Sequence, residues 1–187
     1  LVWRRIAAAQ AGREGSESGE RLSEHPLELC SLSFEPLRVS KKSAKIAELI
    51  AGQQGRDRDA HYLGYFECFN RQWFYEAHDV LEELWLAQGK TGANYSFYKG
   101  LIQLAGAFVH LQKDRLRPAV ALYTLAEINL RKYPDQHDGF DVAHALSLIA
   151  DWRGLVEAGE FEVNPLRNQV APRLELPEAP LSIADSQ

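Results

Sequence analysis

The chain has 187 residues, 45% of them hydrophobic and 25% charged, which suits one core of ordinary size and excludes a multidomain machine, a collagen-like rod or a wholly disordered polymer. Its net charge of −5 argues against a partner held by phosphate neutralisation, so nucleic acid is not an expected ligand. No run reaches the roughly 18 apolar residues that span a bilayer, since the richest stretch, Gly100 to Leu111, is interrupted by Gln103 and His110, and no membrane partner is expected.

Residues 1–39 mix Gly, Ser and Glu without a period and are expected to form a mobile N-terminal extension. Arg4 and Arg5 precede an apolar run too short for a secretory signal, and Glu14, Glu17 and Glu20 follow, which organelle-targeting peptides usually avoid. Cys30 and Cys68 stand far apart in unlike contexts, so no disulfide framework or Cys-based zinc site is expected, and a reducing cytoplasm is the expected location.

A short helix and linker are expected over 40–59, with Ser40 as its cap, Ile46, Leu49 and Ile50 on one side, and Gly52 and Gly55 ending it. The core is expected in 60–160, because 17 of the 19 aromatic residues lie between Tyr62 and Phe161 and aromatics supply the largest buried areas. There the apolar spacing is three and four throughout. Tyr65, Phe66 and Phe69 define a helix from about Tyr62 to Asn70, and Phe74, Ala77, Leu81, Leu84 and Trp85 define another from Trp73 to Gln88, closed by Gly89. After a loop at 90–93, a third helix is expected from Asn94 to Lys113 through Tyr98, Leu101, Ile102, Ala105, Phe108 and Val109. Pro118 is expected to open a fourth helix that ends at Tyr133-Pro134, and Asp141 to cap a last one that stops at Gly159. No segment alternates with period two, so no strand is expected, and the fold class is an all-α antiparallel bundle of about five helices. Pro165, Pro172, Pro177 and Pro180 mark 161–187 as an extended C-terminal strap.

Several polar residues interrupt the apolar faces. His78 and Glu82 stand four apart, on the edge of the stripe of their helix, and Gln103 and His110 break the stripe of the next one. A hairpin about the loop near residue 91 sets His78 against Gln103 or Leu104, Glu82 against Gly100 and Lys99, and Trp85 beside Phe97. His110 then falls roughly 9 Å further along at about 1.5 Å per residue. The candidate pocket is therefore bounded by Glu76, His78, Asp79, Glu82, Trp85, Lys99 and Gln103, with His110 at its far rim.

The ordered motifs Glu76-Ala77-His78-Asp79-Val80-Leu81-Glu82-Glu83-Leu84-Trp85 and Lys99-Gly100-Leu101-Ile102-Gln103-Leu104-Ala105 resemble the domain-of-unknown-function family numbered 309, over roughly residues 60 to 130. The resemblance implies a small all-helical protein and brings no activity with it. The family often has Glu in place of Asp79, and often a Gly in the turn where this chain has Arg71-Gln72.

Several functions fit these residues. His78, Glu82 and Gln103 can form a polar network that fixes helix register, with Lys99 neutralising Glu82. The same residues can floor a small-ligand pocket, with His78 as general acid or base, Glu82 orienting it and Gln103 holding a substrate. His78 and Glu82 at i, i+4 can supply two ligands to a divalent metal and support a metal-dependent hydrolase-like site, although no His-Glu-x-x-His or repeated Glu-x-x-His motif accompanies them. No other cofactor is expected. Alternatively, the helical hairpins present Trp73, Tyr75 and Trp85 to a protein partner, and a homo-oligomer is compatible with the chain. Asp141 and His144 have metal-ligand spacing but are expected to be a helix cap and an exposed imidazole, and His137 and Asp138 belong to a turn.

Overall fold

The computed structural model describes residues 41–56 and 58–177. The extension expected over 1–39, the Ser40 cap and the end of the strap, 178–187, lie outside the described residues. The fold is an all-α bundle.

Helix α1, Lys41–Ala51, buries Ile46 and Ile50. Helix α2, Ala60–Asn70, is started by Asp59, whose side chain accepts from the amides of His61 and Tyr62 and so satisfies two of the free first-turn donors. Helix α3, Phe74–Gln88, stops at Gly89, where φ is 66°. Helix α4, Tyr95–Gln112, is the centre of the bundle. Helix α5, Leu116–Leu130, begins two residues before Pro118, because a missing N–H is tolerated anywhere in a first turn whose amides have no intrahelical acceptor. Helix α6, Val142–Ala158, is capped by Asp141, which accepts from the His144 amide while the imidazole of His144 stays exposed.

One expectation needs correction. A two-residue antiparallel ladder, β1 Gln136–His137 against β2 Phe140–Asp141, lies in the window where no strand was expected. Asp138 and Gly139 have φ of 50° and 71°, the doubly left-handed turn that suits the twist of a tight hairpin and that Asp-Gly favours. The hairpin delivers Phe140, 1% exposed, onto Phe97 and Phe66.

Facing pairs fix the packing. Phe74 stacks on Phe108 at 4.8 Å and Trp85 lies 5.1 Å from Tyr95, so α3 and α4 run antiparallel. Gly100 of α4 meets Leu130 of α5 so closely that a Cβ there would stand 2.8 Å from Leu130 Cγ. With α3 on one side and α5 on the other, α4 is buried continuously from Phe97 to Val109, including Lys99, Gly100 and Gln103. The sequence showed an amphipathic stripe; the structure shows a helix with no extended solvent face.

The described part of the C-terminal segment is not extended throughout. A single 3-10 turn, Pro165–Arg167, follows Asn164, whose side chain donates to the carbonyl of Leu111 at the end of α4. Further on, Asn70 receives the backbone of Leu174 in the manner of a strand partner: its Nδ2 donates to the Leu174 carbonyl and its Oδ1 accepts from the Leu174 amide, both at 2.8 Å. Leu174 is thereby fully buried.

The turn between α2 and α3 holds Gln72 at φ 61°, the left-handed region where a Cβ is disfavoured. It belongs to the Arg71-Gln72 turn, in which the resembled family often has a glycine. Gln72→Gly is therefore expected to raise the unfolding free energy by roughly 0.5–1 kcal/mol in urea titrations, relief of the Cβ strain outweighing the added freedom of the unfolded chain. A loss of stability would show that the Gln72 side chain contributes more than its strain costs.

Candidate functional site

Helix α3 carries a polar edge inside the protein. His78 is 3% exposed, Asp79 6% and Glu82 9%, burial that disfavours charged groups unless other groups compensate. The i, i+4 spacing stacks Glu82 one turn beyond His78, and Asp79 follows His78 directly, so one donor atom from each residue lies within 4.8 Å of the others. His78 Nδ1 and Asp79 Oδ1 are 3.1 Å apart. With Nδ1–H donating to the carboxylate, the lone pair of the imidazole is on Nε2, the arrangement that orients a base or a metal ligand.

The other predicted site residues divide between this edge and other parts of the bundle. Glu76 accepts from Lys45 Nζ and ties α3 to α1, and that hydrogen bond, followed by the charges of Glu76 and Asp79, raises the Lys45 pKa against the effect of its own desolvation. The face of α3 that bears Glu76 and Asp79 thus looks toward a lysine of α1. Trp85 packs on Tyr95 rather than on Phe97, and its indole Nε1 is buried without a hydrogen-bond partner among the described residues.

Gln103 is fully buried and, by the pairing of Phe74 with Phe108 and of Trp85 with Tyr95, stands level with His78. Its carbonyl oxygen nevertheless turns to α5, where it accepts from Asn129 Nδ2 at 2.8 Å. Its amide nitrogen has no partner among the described residues. Gln103 thus bonds across from α4 to α5, because α4 is packed on both sides and a buried amide can serve either neighbour.

Lys99 is also 9% exposed. Burial lowers its pKa, and the charge of Lys132, at the end of α5, lowers it further. Lys99 thus lies under the influence of the end of α5. His110, in the last turn of α4, has a pKa lowered by burial and by the charges of Arg115 and Lys113. The stacking of Phe74 on Phe108 and the bond from Gln112 Nε2 to the Gln72 carbonyl place His110 level with the start of α3, away from His78.

Asn129 and Lys132 were not among the residues predicted from the sequence. Asn129 sits between Ile128 and Leu130 in an apolar helix, an interruption of the same kind as Gln103, and that was the available signal. Lys132 carried none, since a lysine just after a helix is ordinarily solvated.

Residues 62–132 match the model of a family described as Domain of unknown function (DUF309). The matched span runs from the first turn of α2 to just beyond α5 and contains every residue of the polar edge. Neither a curated protein nor a solved structure matches the chain. Among the described residues no helix is long and apolar enough to cross a membrane.

Because His78 and Glu82 converge in a dry setting, His78→Ala is expected to cost about 1–3 kcal/mol and to couple with Glu82→Gln by more than about 0.5 kcal/mol in a double-mutant cycle read by chemical denaturation. Additivity within about 0.3 kcal/mol would mean that the two side chains act separately.

Proposed function

We propose that the protein is a metal-binding helical bundle whose centre is His78, Asp79 and Glu82. The supporting observation is that three buried donors of nitrogen and oxygen type lie within 4.8 Å of one another on one helix. Two carboxylates withdrawn from water call for positive charge, and a divalent ion supplies more of it than a protonated imidazole. Imidazole with carboxylates is a borderline donor set suited to zinc, manganese or iron. Three protein ligands leave a coordination position for water or substrate, the pattern of catalytic rather than structural sites, so a metal-dependent hydrolytic role is the activity this centre would support. In that role the ion would lower the pKa of a bound water, while the residues of α3 hold it and keep bulk solvent away.

A polar network that fixes the register of α3 is the second reading, supported by the 3.1 Å contact between His78 and Asp79, which serves both groups without an ion. The ligand-pocket reading is weakened where Gln103 bonds Asn129 instead of facing a substrate beside His78. The interaction-surface reading rests on Trp73 and Tyr75, 43% and 50% exposed, since Trp85 is engaged by Tyr95.

Calorimetric titration of chelator-treated protein with zinc and with manganese tests the proposal. One ion per chain is expected, with a rise in thermal midpoint matching about 2.7 kcal/mol when the free ion is a hundredfold above its dissociation constant, and with binding lost in His78→Ala and in Glu82→Gln. Stoichiometric binding that survives both substitutions, or no binding of either ion, would contradict the metal site and leave the network reading.

A further inference from the structure

The C-terminal segment carries a backbone edge that the described bundle does not use. Asn70 takes both the N–H and the C=O of Leu174 with one side-chain amide, each at 2.8 Å, which requires the two backbone groups to point the same way, as they do in an extended residue. A trans peptide holds its C=O and N–H on opposite sides, so the Arg173 carbonyl and the Glu175 amide are turned away from Asn70. Among the described residues neither group meets a hydrogen-bond partner, and no backbone–backbone bond is made anywhere from Val170 to Pro177.

The side chains alternate as the backbone does. Leu174 is fully buried, while Arg173 and Glu175 on either side of it are exposed. The segment borders open space, a cleft of about 700 Å3 lined by Arg173, Leu174, Glu175 and Pro177 together with Gln53 and Arg56. Pro177 closes the edge, because it has no N–H to donate and its carbonyl is taken by Arg58 Nη1 at 2.9 Å. An unpaired extended edge is a template for a second strand, and the charges on this one decide which strand fits.

We propose that residues 173–175 pair antiparallel with the same residues of a second copy of this chain, as the seam of a two-fold dimer. Centred on Leu174, the pairing sets Arg173 opposite Glu175 of the partner subunit and Glu175 opposite Arg173 of the partner subunit, so both cross-strand pairs join opposite charges. The hydrogen bonds fall in the same register. Backbone groups of successive residues face alternate edges, so 173 and 175 exchange bonds across the seam while Leu174 keeps its own for Asn70. Pro172 then stands opposite Leu176 in a pair that exchanges no backbone bond, where its missing N–H is tolerated. Sliding the partner by two residues would set Arg173 on Arg173 or Glu175 on Glu175, and sliding it by one would oppose edges that face different ways, so charge and backbone select one register.

Sedimentation velocity of the full-length chain over a concentration series tests the proposal. The parent is expected to dimerise reversibly, with a dissociation constant raised about tenfold or more by Arg173→Glu or by Glu175→Arg, since either change makes both cross-strand pairs repulsive. An equimolar mixture of the two variants is expected to recover the parental dimer, because the acidic edge of one then meets the basic edge of the other. Both residues are exposed, so the variants keep the fold, which circular dichroism checks. A parent that stays monomeric at its highest soluble concentration, a dimer that either single variant leaves intact, or a mixture no more dimeric than its components would overturn the seam.

Discussion

Two phenylalanines on α4 hold the bundle together. Phe108 touches an aromatic ring from each of four other helices: Phe69 of α2, Phe74 of α3, Tyr123 of α5 and Trp152 of α6, at centroid distances of 4.8–5.6 Å. Phe97, about three turns earlier on the same helix, meets Tyr62 of α2, Tyr133 just after α5, and His137 and Phe140 of the β-hairpin at the other end. Both rings are fully buried, and each contributes roughly 1.5–3 kcal/mol of apolar burial before any aromatic geometry is counted. Their position forces α4 into the interior on every side.

That constraint determines the treatment of the polar groups. A side chain on α4, or on the face of α3 packed against it, has little access to water and must find its partner within the bundle. Gln103 does so by pairing with Asn129 across to α5. The His78, Asp79 and Glu82 edge gathers two carboxylates and an imidazole within the bundle.

Much of the fold was legible in the sequence because burial imposes a period. Each helix from α2 to α6 was expected from apolar spacings of three and four, and the Asp141 cap and the Gly89 stop were marked by residue type. The hairpin was missed because two residues per strand are too few to alternate, although Asp138-Gly139 is a strong turn signal. At the site, the i, i+4 relation of His78 and Glu82 was readable from one helix alone. The partner of Gln103 was not, because it depends on which of two packed neighbours a side chain faces. Periodicity places a residue on its helix but does not determine that choice. Likewise the Asn70 bonds to Leu174 join residues with no common pattern in the sequence.

The claim that α3 turns a metal-binding edge into the bundle is tested most directly by cadmium NMR on protein carrying 15N in its histidine rings. The account predicts one bound 113Cd resonance with a scalar coupling to a ring nitrogen of His78, absent in Glu82→Gln or strongly shifted there. A cadmium signal coupled to another histidine, or one that remains in exchange with free ion while the ring signals of His78 do not move, would contradict it.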